Sequence, residues 1–250
     1  MCRHIAYTGA SVVLGDLLVR PSHGLYRQAW APRRQRYGTV NADGFGVGWY
    51  ADGDVVPARY RRAGPMWADP NVLDLARVVR SGALLAAVRD ATEAGADSEA
   101  AAAPFAHGRW LFSHNGALRN WPGSVAELAA ALPPEALLRL EARCDAAFVW
   151  ALVLHRLNSG DDAARAMSET VTELAAAAPD SRLNLLLTDG VTVTATAWGD
   201  TLWYLHTPGR STVVASEPYD DDPLWCDVPD RTLLTATDTD VLLTPLKELQ

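Results

Sequence analysis

The run Leu183-Asn184-Leu185-Leu186-Leu187-Thr188-Asp189-Gly190-Val191-Thr192-Val193-Thr194-Ala195-Thr196-Ala197-Trp198 decides the fold class. Two β-prone stretches, 183–188 and 191–198, flank Asp189-Gly190. Both turn residues tolerate the positive φ of a tight turn, so the pattern predicts an antiparallel hairpin. Downstream, residues 201–206, 212–216, 232–237 and 240–244 repeat the strand pattern with turn-like breaks. Immediately upstream, 145–157 and 161–178 each begin with Asp and continue in good helix formers, with Gly160 between them. Further upstream, strand patterns return at 2–9, 44–51, 55–61, 83–89 and 109–114. Helical signals lie at 69–81, where Asp precedes Pro, and in the Ala/Leu-rich stretches 124–132 and 134–143. Strands come first, two long helices in the middle and strands again at the end. That order is not βαβ alternation. It predicts an α+β fold of antiparallel sheets with segregated helices. No internal repeat is present, and one domain over 1–250 is expected.

Residues 25–43, 93–107 and 217–230 read as loops. The second holds the run Glu99-Ala100-Ala101-Ala102-Ala103 and is expected to be mobile.

The formal charge of −8 argues against nucleic acid and anionic membranes as partners. The basic cluster Arg33, Arg34 and Arg36 reads as a solvated loop. The three cysteines, Cys2, Cys144 and Cys226, make no disulfide framework and no zinc spacing, so neither a metal nor a cofactor is expected. No signal peptide or membrane span is legible, and the expected compartment is the cytoplasm.

Cys2 follows the initiator Met1. Trimming of Met1 would place a thiol and a free α-amine on one residue. An α-amine with a reference pKa of about 7.7–8.0 is partly neutral at physiological pH and can serve its own nucleophile as base. Arg89, at the end of a predicted strand with Thr92 three residues on, suits bidentate capture of a carboxylate; alone it would read as a surface ion pair. In His114-Asn115-Gly116, the Asn amide and the Gly backbone N–H form two adjacent donors suited to an oxyanion; alone, Asn-Gly would read as a turn. Asp145 opens a helix and alone would read as its cap. Gly44, Gly46 and Gly48 leave one face of a strand bare, either for a ligand or for close sheet packing, while Phe45, Val47 and Trp49 face the other way.

Taken in order, Met1-Cys2, Asn41-Ala42-Asp43-Gly44-Phe45-Gly46, Val88-Arg89 with Thr92, His114-Asn115-Gly116 and Asp145 resemble the class II glutamine amidotransferases, the N-terminal-cysteine branch of the N-terminal-nucleophile hydrolases. Val214-Ala215-Ser216-Glu217-Pro218 adds to the likeness, which covers most of the chain. The resemblance implies a four-layer αββα sandwich. It also implies roles: Cys2 as nucleophile with its α-amine as base, and Asn115 and the Gly116 N–H as oxyanion hole. Arg89 with Thr92 would hold the glutamyl α-carboxylate, Asp145 would hold the α-ammonium, and His114 would lie beside them. Asp90 departs from the neutral or aromatic residue often found after the binding Arg. Ala146-Ala147 departs from the hydroxyl and acidic residues often found after the binding Asp.

The family-like region leaves no room for a fused synthase, which points to hydrolysis of a γ-glutamyl small molecule with water as acceptor. The short chain and the opening Met1-Cys2-Arg3-His4 resemble the ergothioneine-pathway members of this family, and that resemblance implies γ-glutamyl-hercynylcysteine sulfoxide as the molecule. Its trimethylammonium group would suit aromatic faces, among which Trp30, Trp49, Trp121 and Trp225 lie near loops and motifs, with Asp220, Asp221 and Asp222 adding negative charge. Three alternatives stand beside this: a glutaminase feeding a separate synthase, a hydrolase of acylated amino acids, and a non-catalytic binding module. A homo-oligomer is left open.

Overall fold

The computed structural model describes residues 2–91 and 99–246. In chain order its elements are β1 (Arg3–Val13), α1 (Leu14–Leu18), α2 (Leu25–Gln28), β2 (Phe45–Trp49), β3 (Ala58–Arg62), α3 (Pro70–Val78), β4 (Arg80–Val88), β5 (Phe105–His107), β6 (Trp110–Ala117), α4 (Ala126–Ala131) and α5 (Pro134–Leu138). They continue with α6 (Asp145–Asn158), α7 (Ala163–Ala177), β7 (Arg182–Thr188), β8 (Val193–Ala197), β9 (Trp203–Thr207), β10 (Ser211–Ala215), β11 (Cys226–Asp227), β12 (Thr232–Ala236) and β13 (Val241–Pro245). One sheet runs β11-β9-β10-β1-β4-β2-β3 and the other β13-β12-β8-β7-β6-β5.

Strand alternation sorts the core into layers. Ala6, Leu85 and Val214 of the first sheet meet Leu111, Leu186, Ala195 and Leu234 of the second between the sheets. Ile5, Phe45, Val47 and Leu84 face outward and pack under Leu14, Leu18, Leu25 and Val72 of α1–α3. Phe112, Leu185 and Leu187 face the other way and pack under Phe148, Val149, Leu152, Met167 and Val171 of α6 and α7. The result is the αββα sandwich, with both helical layers outside.

The deciding hairpin differs in detail from its expectation. Thr188 pairs with Val193, so four residues form the turn rather than two. Only Gly190 takes a positive φ, +92°. Asp189 instead accepts the Val191 and Thr192 backbone N–H groups at 3.1 and 2.9 Å. Asp69 caps α3 as expected, by accepting from Asn71 N. The expected loop 25–43 opens with α2, and the expected loop 93–107 ends in β5. The run at Glu99 is no mobile tail where it is described. Glu99–Ala101 forms a 3₁₀ turn, and Ala101 and Ala102 are buried.

That burial explains the glycine strand. An added Cβ at Gly46 would stand 2.3 Å from the Ala103 carbonyl oxygen, and one at Gly48 would stand 2.7 Å from Leu111. The bare face is filled by backbone and side chains of the opposite layer, not by a ligand.

Candidate active site

Strand pairing gathers the candidate residues at one end of the sandwich. In the antiparallel pair β1–β4, Arg3 lies opposite Val88, which places Cys2 beside Arg89. Val88 also lies opposite Phe45 in β2, which brings up Asp43 and Gly44. The two segments are tied together: Asp43 N donates to the Arg89 carbonyl at 2.9 Å, and Arg89 Nη1 donates to the Asp43 carbonyl at 3.2 Å. From the second sheet, β6 contributes Ser113, His114, Asn115 and Gly116. The first turn of α6 contributes Asp145.

Cys2, Arg89, Asp90, Ser113, His114, Gly116, Cys144 and Asp145 all line one cleft, with a cavity volume of about 30 Å³. A guanidinium and a carboxylate therefore flank one thiol. Burial pushes the Cys2 thiol above its ordinary pKa, while a bond from the Asp90 backbone and the Arg89 cation pull the other way. Attack by this sulfur requires a base.

Asp145 is not the helix cap. Cys144 holds that position without a side-chain bond, and Asp145 is the first helical residue. Its carboxylate accepts from Leu118 N at 3.1 Å and from Ala146 N at 2.8 Å. Each oxygen keeps a second lone pair for a ligand cation. His114 Nε2 lies 2.9 Å from the Arg182 carbonyl. A Cβ on Gly116 would fall 1.8 Å from that same carbonyl oxygen, so only glycine fits there. Asn115 is fully buried behind the cleft. Its Nδ2 lies 3.1 Å from Ser216 Oγ, and its Oδ1 has no partner among the described residues.

Thr92 lies outside the described residues. Several neighbours were not legible in advance. Cys144 is a second buried thiol in the cleft, its ionisation opposed first by burial. Arg3, fully buried, donates through Nε to the Cys2 carbonyl at 2.8 Å and through Nη2 to Asp200 at 3.1 Å. Ser113 shares the inner face of β6 with Asn115, a relation that two-residue alternation could have supplied. It lies 3.2 Å from His4 Nδ1.

None of Trp30, Trp49, Trp121 and Trp225 lines the cleft. Trp30 packs on Tyr26 and Trp67, Trp121 packs on Phe148, and Trp225 donates to Asp220 at 2.8 Å. Of the basic cluster, Arg33 is bound to Asp221 at 2.7 Å, and Arg34 stacks on Trp203. Solvated loop is therefore an incomplete description of it. Among the described residues no group of three or more His, Cys, Asp or Glu side chains is arranged to hold a metal. No helix among them is long and apolar enough to cross a membrane.

The family model for class-II glutamine amidotransferases matches residues 25–209. A γ-glutamyl-hercynylcysteine sulfoxide hydrolase of Mycolicibacterium smegmatis is 44% identical over 98% of this chain and 100% of its own length. A protein of the same name from Mycobacterium tuberculosis (strain CDC 1551) is 42% identical over 98% of this chain and 97% of its own. Among solved structures, a glutamine aminotransferase class-II domain protein of Silicibacter pomeroyi superposes with a TM-score of 0.69 at 25% identity, over 98% of this chain and 100% of that one.

Proposed function

The chain belongs to the class-II glutamine amidotransferase family, and from that premise we propose that it hydrolyses the γ-glutamyl amide bond of γ-glutamyl-hercynylcysteine sulfoxide, through a thioester on Cys2. The whole chain is read as one amidotransferase-like domain, with 2–250 as the mature form. One observation carries the reading: a thiol, a guanidinium and a carboxylate line a single cleft. A γ-glutamyl group presents complementary features: an α-carboxylate and an α-ammonium together on the α-carbon at one end, and the γ-carbonyl at the other.

In this mechanism Arg89, with Thr92, holds the α-carboxylate, Asp145 holds the α-ammonium, and His114 completes the wall. The Cys2 α-amine takes the thiol proton as sulfur attacks the carbon of the γ-carbonyl group. Asn115 and the Gly116 N–H receive the negative charge that develops on oxygen. The protonated amine then passes its proton to the departing nitrogen. Water, activated by the same amine, opens the thioester and releases glutamate. The raised thiol pKa supports the need for that base. The identity to hydrolases named for this substrate, extending over nearly the full length of both chains, supports the leaving group.

The test is glutamate release from γ-glutamyl-hercynylcysteine sulfoxide and from glutamine, side by side, with Cys2→Ala as control. Strong preference for the first, lost in the variant and lost also when a tag is left before Cys2, is the expected result. Equal or better use of glutamine would overturn the substrate and turn attention to a separate synthase. Full activity of the tagged chain would exclude the α-amine as base.

A further inference from the structure

Alternation along the strands puts Cys2, His4 and Ala6 on the inner face of the first sheet. It puts Leu111, Ser113 and Asn115 on the inner face of the second. Ala6 and Leu111 are both part of the inter-sheet core, and His4 and Ser113 meet at 3.2 Å, so the two faces are in contact here. The Asn115 amide therefore stands in the gap into which the Cys2 side chain projects. What holds that amide is not on either strand. Ser216, just past the end of β10, is fully buried, and its Oγ sits 3.1 Å from the Asn115 amide and 3.0 Å from the His4 N–H. Ser216 is itself clamped. Its N–H donates to the His4 carbonyl at 2.9 Å, and its carbonyl accepts from Thr201 Oγ1 at 2.8 Å.

Hydrogen-bond accounting goes further. With the Asn115 nitrogen toward Ser216, the Ser216 oxygen accepts twice, from His4 N and from Asn115. Among the described residues its own proton then has no acceptor, and Asn115 Oδ1 stays buried without a partner. A half-turn of the amide exchanges two ends of nearly equal shape. The Ser216 hydroxyl then accepts from His4 N and donates to Asn115 Oδ1, which satisfies both groups. The NH₂ now occupies the place that no partner among the described residues reaches. A buried donor pair with no protein acceptor is complementary to an acceptor on the substrate. A carbonyl oxygen in the same place would repel a developing oxyanion.

We infer that Ser216 is a positioning residue for the oxyanion hole: its hydroxyl, fixed by His4 N–H, holds the Asn115 amide oxygen and so presents the amide NH₂ to the γ-carbonyl oxygen attacked by Cys2. This rests on the hydrolase reading above. Ser216 touches no substrate, and its effect passes through Asn115 alone.

The experiment is a double-variant kinetic cycle with γ-glutamyl-hercynylcysteine sulfoxide, comparing wild type, Ser216→Ala, Asn115→Ala and the pair, with Cys2→Ala as blank. Loss of a whole oxyanion-hole donor costs on the order of 10²–10³ in kcat. Ser216→Ala is expected to lose about tenfold or more of kcat with KM nearly unchanged. The pair is expected to be no slower than Asn115→Ala alone, because groups acting as one unit are not additive. A merely structural role would instead multiply the two losses. Multiplied losses, or a Ser216→Ala kcat within about twofold of wild type, would overturn the inference. If Ser216→Ala does not fold, Ser216→Cys fills the site with a poor donor, and the same outcomes apply to it. A wild-type chain inert toward γ-glutamyl compounds would overturn the hydrolase reading itself, and the inference with it; activity in wild type alongside multiplied losses would remove only the role of Ser216.

Discussion

At the residue scale, the cleft is defined by charges of opposite sign beside a sulfur. Arg89 and Asp145 are expected to act on substrate capture. A hydrogen bond to a charged group contributes about 1.5–3 kcal/mol. Arg89→Gln and Asp145→Asn should therefore each lower kcat/KM for the γ-glutamyl substrate by roughly 10- to 150-fold. Unchanged kinetics in both variants would favour a hydrolase of acyl groups that lack these charges. His4 gives a second expectation. Burial, then the neighbouring Arg3 and His114, holds its pKa well below the ordinary value. The unfolded chain takes up a proton on His4 as pH falls through about 6.5, and the folded chain does not. Stability is thus complete above that pH and declines below it, by at most about 1.4 kcal/mol per pH unit from this group. Melting temperatures taken from pH 7.5 down to 5 should fall more steeply for wild type than for His4→Gln. Parallel curves would show that His4 titrates normally.

At the element scale, β2 shows how a strand made of alternating glycines is stabilised by what lies above it. Phe45 and Val47 anchor it to the outer core, while Gly46 admits the Ala103 carbonyl. Gly46→Ala forces overlap with backbone, which cannot move aside as a side chain could. Overpacking of this kind costs typically 1–3 kcal/mol or more. Gly123→Ala, with nothing within 4 Å of the new Cβ, is the matched control. Its effect should stay within about 0.5 kcal/mol. Thermal unfolding of the two variants checks this, and equal melting temperatures would mean that the 102–104 segment yields freely. The long helix α6 makes the opposite use of its position. Its buried face carries Phe148, Val149 and Leu152 into the core, and that packing holds its first turn, with Asp145, at the rim of the cleft.

At the scale of the whole molecule, one buried ionic network joins segments far apart in sequence. Arg3 is bonded to Asp200, with Glu217 at 4.0 Å, all three side chains essentially without exposure. Glu217 also accepts the backbone N–H groups of Arg33 and Arg34, at 2.9 and 2.7 Å. It thereby pins the segment that carries Gln35 and Gly38 onto Asp90, beside the cleft. Removing Glu217 takes the acceptor from both of these N–H groups, while Arg3 keeps Asp200; an unsatisfied buried donor costs about 1–3 kcal/mol. Glu217→Ala should loosen this segment, and trypsin should then cut after Arg33, Arg34 or Arg36 well before the rest of the chain. A wild-type digestion pattern would assign the anchoring to the Arg33–Asp221 contact instead.

The sequence by itself determined most of the strands, the paired helices α6 and α7, the α+β class and the residues around the thiol. Those features are local. Alternation, helix caps and helix-forming runs are written within a few residues of where they act, and the motif residues sit at strand ends where any antiparallel pairing would bring them together. Tertiary structure alone decided the rest. Asp189-Gly190 became a four-residue turn, because the register with β8 starts at Val193. The glycine face met a carbonyl rather than a ligand, because the opposite layer arrives from some sixty residues away in sequence. The four tryptophans stand outside the lining of the cleft, burial pushed the Cys2 thiol pKa up, and Cys144, Arg3 and Ser216 joined the site. Each of these depends on desolvation or on contact between distant segments, and neither quantity exists until the two sheets have closed on each other.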